Sequence, residues 1–282
     1  MQQAELTSKQ FDDFSTIIAS RLGIKMPPTK RTMLQSRLLR RSRELGLEDV
    51  HAYHARFFSD PEMQQDELEH LLNLATTNKT DFFREPDHFE FLAQQALPAW
   101  RARSPGGPFK VWCAGCATGE EAYTLAMVLM EAQARGSFEF SILATDVSTR
   151  VLERAMEATY DEEHAAPIPP HIRKKYVLRS RDAAAGLVRI APEVRRHVRF
   201  GHLNFLSENY GIRDKFDVIF FRNVMIYFDR DTQRQIVSRM CRLLPVGNWL
   251  LTAHAETLQG LGLPLEPVAA AVYIRTKGEP PL

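Results

Sequence analysis

Apolar positions in the first quarter of the chain recur at helical spacing. Phe11, Phe14, Ile18 and Leu22 fall on one face, and Leu34, Leu38 and Leu45 fall on another, a period that predicts amphipathic helices. Gly23 and Gly46 follow those runs as C-terminal stops, so residues 1–76 read as a small helical domain. A polar segment, Thr76–Asn78, opens a connecting region over 77–108 that ends in the breaker cluster Ser104-Pro105-Gly106-Gly107-Pro108. From Phe109 the pattern changes to short apolar runs, expected as strands at 109–113, 140–145, 198–203, 216–221, 247–253 and 270–276. Between them lie amphipathic stretches, expected as helices at 118–135, 148–157 and 230–244, the last capped by Asp229 or Asp231 and closed by Pro245 and Gly247. Such alternation predicts an α/β, Rossmann-like, mostly parallel doubly wound sheet over 109–282. Residues about 160–197 interrupt it with Pro167, Pro169 and Pro170 followed by short runs, read as a small antiparallel β-subdomain.

One strand leads directly into a glycine-bearing turn and a helix: Val111–Met127, VWCAGCATGEEAYTLAM. Gly115 and Gly119 would let backbone approach a ligand, and N–H groups at a helix start suit an anion. The next apolar run ends in Asp146, placed to accept the hydroxyls of a ribose. The plain alternative is a tight turn without a ligand. No Gly-Lys-Ser/Thr follows, which excludes a P-loop. Glu120 and Glu121 in the first helical turn would repel a pyrophosphate and suit a ligand carrying a sulfonium or ammonium, which favours S-adenosylmethionine over NAD.

Composition narrows the class without naming a reaction. The chain has 282 residues, 44% of them hydrophobic, enough for two domains. No apolar run approaches the length of a membrane-spanning helix, and the start lacks the basic-then-apolar order of a signal peptide, so a cytoplasmic protein without membrane insertion is expected. Cys113, Cys116 and Cys241 make no disulfide framework. Trp112-Cys113-x-x-Cys116 has the look of a thioredoxin redox turn, but nothing after it follows that plan, and the cysteines read as packing residues. No second cysteine pair accompanies them and His51-x-x-His54 lies on a polar helix, so no metal site is expected. The net charge of +1 hides two basic stretches. No acidic residue falls between Asp13 and Glu44, a span holding Arg37, Arg40, Arg41 and Arg43, and Arg173–Arg199 contains nine Lys or Arg against Asp182 and Glu193. Such clusters suit an acidic partner, whether phosphate or carboxylate.

Two further segments carry polar groups where ligands bind. FDVIFFRNVMIYFD, Phe216–Asp229, reads as a buried parallel strand with Arg222 and Asn223 at its carboxyl end and Tyr227 in the loop beyond. TTNKTDFFR, Thr76–Arg84, sets Phe82 and Phe83 beside Arg84, as an interdomain plug or the lid of a cleft.

Taken in order, TNKTDFFRE (77–85), AGCATGEEAYTLA (114–126), ATD (144–146) and FDVIFFRNVMIYFD (216–229) resemble the chemotaxis receptor methyltransferases, the CheR family, over nearly the whole chain. The resemblance implies methyl transfer from S-adenosylmethionine to glutamate γ-carboxylates on the cytoplasmic helical bundle of chemoreceptors. It carries cofactor contacts onto Asn78, Thr80, Arg84, Glu121, Asp146, Asn204, Phe205, Phe221 and Arg222, and substrate orientation onto Arg84 and Tyr227. It also gives the basic second helix, with Arg37, Arg40 and Arg41, to the receptor. The chain departs from the family at Ala122, where many members have proline, and at Ser180-Arg181-Asp182, where members that dock a receptor pentapeptide have a small-residue turn. A nucleic-acid methyltransferase and a non-catalytic cofactor-binding adaptor are the competing readings. The first lacks an Asn/Asp-Pro-Pro-aromatic motif after the fourth strand, and the second leaves Arg84, Asp146, Arg222 and Tyr227 without a role.

Overall fold

The computed structural model describes residues 5–103 and 106–280, so Ser104 and Pro105 of the expected breaker loop and the first four residues lie outside the described residues. The chain divides into two compact units, Met1–Thr77 with Tyr227–Asp229, and Asn78–Ile226 with Arg230–Leu282.

The first unit is helical, as its apolar spacing requires. It comprises α1 (Ser8–Leu22), α2 (Arg31–Glu44), α3 (Val50–Ser59) and α4 (Pro61–Ala75). Thr7 opens α1 with a capping box: its hydroxyl accepts from Gln10 N, and the Gln10 side chain accepts from Thr7 N. Gly23 closes the helix at φ 68°, the left-handed conformation that glycine adopts without strain. Phe11, Phe14, Ile18 and Leu22 are buried along one stripe, and Phe14, Tyr53 and Phe57 form an aromatic centre with ring centroids about 6 Å apart. Beside it lies a buried ion pair. Arg41 donates to both carboxylate oxygens of Glu67, at 2.9 and 2.6 Å, and the Tyr53 hydroxyl donates to Glu67 at 3.1 Å.

The connecting region over 77–108 is non-helical through Glu85 and helical from Pro86. After α5 (Pro86–Phe91) a π-turn, Leu92–Ala96, leads into α6 (Leu97–Ala102). Leu97 N donates to Leu92 O, one residue farther back than in an α-helix. The widened turn stands immediately before Pro98, which has no N–H to give.

Alternation then follows: β1 (Phe109–Ala114), α7 (Glu120–Gln133), β2 (Phe140–Asp146), α8 (Thr149–Glu157), β3 (Thr159–Asp161), α9 (Pro170–Tyr176), β4 (Val177–Arg179), β5 (Leu187–Ile190), α10 (Pro192–Arg195), β6 (Val198–His202), β7 (Val218–Phe220), α11 (Arg230–Leu243), β8 (Trp249–Leu251), β9 (Leu265–Ala269) and β10 (Val272–Arg275). The main sheet has the order β6-β2-β1-β7-β8-β10-β9. Pairs from β6 through β8 are parallel, and β10 runs antiparallel to both β8 and β9. β9 was not expected. It is an edge strand, largely exposed, with Pro267 inside it, so it carries neither an apolar pattern nor a full set of donors. The segment read as a small subdomain forms a separate three-stranded antiparallel sheet, β3-β5-β4.

Chain order reverses beside β1, which pairs with β2 on one side and β7 on the other. In such sheets the crevice for a ligand opens at the carboxyl ends of the strands next to the reversal. The Gly115 turn, Asp146 and Arg222 all sit at those ends.

Candidate active site

The turn after β1 is closed upon itself. Gly115 N and Cys116 N both donate to Thr145 O, at 2.7 and 2.9 Å, Ala117 N donates to Asp146 at 2.9 Å, and Gly119 N donates to Cys116 O. The N–H groups of Gly115, Cys116, Ala117 and Gly119 are thus taken up within the turn and by the end of β2. Gly115 (φ 89°) and Gly119 (φ 98°) serve the turn and its packing. A Cβ at Gly115 would overlap Val224 Cγ2, and one at Gly119 would stand 3.0–3.1 Å from Ala155, Tyr123 and Tyr160.

Asp146 is buried at the tip of β2, where its two oxygens accept from Ala117 N and Ser148 N at 2.9 Å each. Burial raises its pKa and these backbone donors partly offset the rise. These backbone donors, with Val147 as a third, fix the carboxylate at the strand tip. Glu120 and Glu121 part company. Glu120 is 2% exposed, takes the Thr118 hydroxyl at 2.7–2.8 Å and His164 Nε2 at 2.8 Å, and has its pKa raised by burial. Glu121 pairs with Arg222 Nε at 3.3 Å and accepts from the Cys113 thiol at 3.3 Å. Cys113 and Cys116 are fully buried, and burial holds both thiols well above their ordinary pKa, which suits packing and not redox chemistry.

Asn78 and Thr80 line a cleft of about 600 Å3 with Thr118, Glu120, Tyr160 and His164. The segment that follows them is pinned at successive residues. Phe82 is buried against Tyr160, with centroids 5.0 Å apart, Phe83 N donates to Thr124 Oγ1 at 3.2 Å, and Arg84 O accepts from Arg222 NH2 at 2.5 Å. Phe83 (φ 55°) and Glu85 (φ 56°) are left-handed on either side of Arg84. Non-glycine residues are costly there and are held only where the surroundings over-determine them. The Arg84 side chain rests half-buried over Lys79 O at 3.3 Å, and no carboxylate among the described residues engages it.

Arg222 is 4% exposed; Nη2 donates to Arg84 O, the guanidinium stands 3.4 Å from Glu85 and 3.3 Å from Glu121, and Nε and Nη1 have no hydrogen-bond partner among the described residues. Phe221 and Phe205 are buried and meet edge to face at 5.1 Å, and Asn204 Oδ1 accepts from Leu206 N at 2.9 Å. Glu256, which no motif singled out, takes Ala253 N, Asn223 N and Met225 N at 2.8–3.0 Å and so supports Asn223 at φ 59°. Its sequence signal was nil, because a buried carboxylate that binds backbone has no characteristic spacing. His88 was missed likewise. Glu85, His88 and His254 each bring one potential ligand atom within 4.8 Å of the others, but the Arg222 guanidinium already supplies the positive charge at Glu85.

Comparison with known proteins agrees with this geometry. Residues 78–274 match the CheR methyltransferase, SAM binding domain, and residues 9–76 match the CheR methyltransferase, all-alpha domain. The chain belongs to the CheR methyltransferase family. It is 37% identical to the chemotaxis protein methyltransferase of Klebsiella aerogenes over 98% of this chain and 92% of that protein, and 37% identical to that of Escherichia coli K12 over 92% and 88%. Chemotaxis protein methyltransferase 2 of Pseudomonas aeruginosa is 34% identical over 96% and 95%. This CheR-family chain is thus an S-adenosylmethionine-dependent methyltransferase.

In the helical unit the family resemblance had given three arginines to the receptor. Arg41 is committed to Glu67 and Glu44, and Arg37 donates to Leu74 O and Thr76 O at 2.5 and 2.7 Å. Arg40 is exposed with a loose contact to Glu44 at 3.8 Å, and Arg43 is exposed. Tyr227 belongs to this unit, where its hydroxyl donates to Thr77 O at 3.2 Å and Lys30 Nζ stands 5.1 Å from its ring. The second basic stretch is partly neutralised locally, with Arg173 and Arg179 both 2.8 Å from Glu162 and Lys175 at 2.9 Å from Glu131.

Proposed function

We propose that the chain methylates glutamate γ-carboxylates on the cytoplasmic helical segments of chemoreceptors, forming methyl esters. The observation that carries the reading is Arg84, a guanidinium held on a strained, triply anchored segment, with no carboxylate of its own among the described residues. It is therefore open to a carboxylate from outside.

Asp146 would hold the ribose of the cofactor, with Asn78, Thr80, Glu121, Asn204, Phe205 and the backbone at 221–222 as its further contacts. When bound, S-adenosylmethionine supplies an electrophilic methyl group on a sulfonium. A glutamate is already an anion near neutral pH, so no general base is required. The protein's work is alignment and exclusion of water. Nucleophile and sulfonium neutralise each other as the bond forms, so tight ion pairing would protect the carboxylate from reacting; Arg84 orients more than it stabilises. The family resemblance gives Tyr227 an orienting role as well, and Arg40 and Arg43 are exposed cations of α2 suited to an acidic receptor surface.

Labelled S-adenosylmethionine with receptor cytoplasmic fragments tests this. Label released from the receptor as methanol by base supports the ester. Label on nucleic acid, or on nothing, refutes it. Arg84→Ala is expected to lower turnover far more than cofactor affinity, and an affinity loss that accounts for the whole rate loss, measured by titration calorimetry, would remove the orienting role.

A further inference from the structure

Arg222 stands two residues beyond the buried strand β7, where the resemblance suggested a cofactor contact, yet its side chain is buried within the protein. NH2 donates to Arg84 O at 2.5 Å and stands 3.4 Å from Glu85 Oε2, Nε stands 3.3 Å from Glu121 Oε2, and the guanidinium carbon lies 5.5 Å from the centre of the Phe89 ring. These partners come from three parts of the chain: the segment bearing Arg84, the first turn of α7, and α5. Behind them His88, 1% exposed, has Nδ1 3.4 Å from the same Glu85 oxygen, and its ring meets that of His254 at 4.8 Å, which is tied to Asp87 at 2.8 Å.

We infer that Arg222 is a positioning residue for methyl transfer, one guanidinium that locks the Arg84 backbone to the cofactor-side carboxylate Glu121. The inference rests on the proposed role of Arg84. Three features favour it over simple packing. The guanidinium donates to the Arg84 carbonyl from one nitrogen and holds two carboxylates at ion-pair distance in different directions, a spread of charge that a planar guanidinium provides and a point-like ammonium does not. The carbonyl it holds belongs to Arg84, the residue flanked by two left-handed neighbours, so releasing that bond frees a strained segment. On the far side Asn223, also left-handed, is fixed by Glu256, so the strand end that presents Arg222 is itself rigid. Arg222 reaches no reacting atom; it acts through where Arg84 stands.

The test is a double-mutant cycle in the full-length protein. Arg222→Lys keeps the charge and loses the fork. It is expected to lower receptor methylation kcat on the order of 100-fold, the size of an ångström-scale misplacement of a reacting group. In an Arg84→Ala background the same change is expected to cost less than about threefold, since groups acting as a unit are not additive. Glu85→Gln cuts only the linker side of the hub and serves if Arg222→Lys fails to fold. It is expected to lower kcat with S-adenosylmethionine affinity, read by titration calorimetry, unchanged within about threefold, because Glu121 stays paired. Fully additive losses, or a Glu85→Gln variant with wild-type kcat, overturn the inference. A wild-type protein that fails to methylate receptor overturns the proposed function instead, and the two failures are read in different tubes.

Discussion

Replacing Gly115 by alanine tests whether the turn after β1 is glycine-bearing for its neighbours or for its ligand. Gly115 lies at φ 89°, and an added Cβ overlaps Val224 Cγ2 in the loop that follows Arg222. Two costs add. An L-residue held at positive φ loses about 1–2 kcal/mol, and forcing a methyl into filled space costs about 1–3 kcal/mol. Gly115→Ala is thus expected to destabilise the protein by about 2–5 kcal/mol. Val224→Ala alone removes two methyls from a half-buried site and costs on the order of 1 kcal/mol. Combined, the second change opens space for the first, so the double variant should recover about 1–3 kcal/mol relative to the sum of the singles, leaving the backbone penalty. Urea denaturation of the four proteins reads the cycle, and titration with S-adenosylmethionine reads the site. If the two changes are additive, and Gly115→Ala instead abolishes cofactor binding in a normally stable protein, the glycine faces the ligand and the packing account is wrong.

The helical unit offers a contrast between neighbouring arginines of α2. Arg41→Ala strands the buried Glu67 carboxylate and should cost about 3–5 kcal/mol of stability by thermal or urea unfolding, whereas Arg40→Glu with Arg43→Glu should leave stability within about 0.5 kcal/mol and weaken receptor methylation with a changed salt dependence. An equal stability loss in both, or unchanged methylation in the second, refutes the assignment. His88 predicts a pH effect. Burial and then the Arg222 charge lower its pKa below the ordinary 6.5. The unfolded chain therefore takes up a proton near pH 6.5 that the folded chain refuses until lower pH, so stability is full above that value and falls as pH drops toward the folded pKa. His88→Leu should flatten this acid slope in unfolding curves taken from pH 7.5 to 5; an unchanged slope would show that His88 is not its source.

The fold was legible where side-chain period does the specifying. Phe11, Phe14, Ile18 and Leu22 are buried as their spacing requires, and the central parallel strands β1, β7 and β8 were found because a strand covered on both faces is largely apolar. It failed where backbone chemistry decides. The connecting region carried no assigned element although it is helical from Pro86 to Ala102, and the edge strand β9 had no apolar alternation to show. At the site, Asp146 and Glu121 were visible as carboxylates at a strand tip and a helix start. What each one does was not, because a buried acid is assigned by its partners, and those lie far off in sequence: Cys113, Arg222 and His164 for the glutamates, Ala117 for Asp146. Arg37 and Arg41 show the same limit from the other side. A basic run predicts a basic surface only if its cations stay out of the protein's own bonds, and here two of them do not.

The sign of the charge left over at the hub bears on how one site can serve a cation and an anion together. Two carboxylates, Glu85 and Glu121, share one guanidinium, Arg222, in a largely buried cluster. On formal charges the two carboxylates outnumber the guanidinium by one, a balance that would favour a cationic methyl donor placed beside them. Arg84 stands outside that balance, joined to it through its backbone carbonyl while its guanidinium is free of any carboxylate among the described residues. A methyl donor and a carboxylate acceptor need opposite fields a few ångströms apart, and a single flexible ion pair would collapse them into one. Separating them requires that the cation for the acceptor be held by main chain, and that the buried His88 against Glu85 remain uncharged. Its lowered pKa keeps it so near neutral pH, and its protonation in acid would cancel the surplus negative charge.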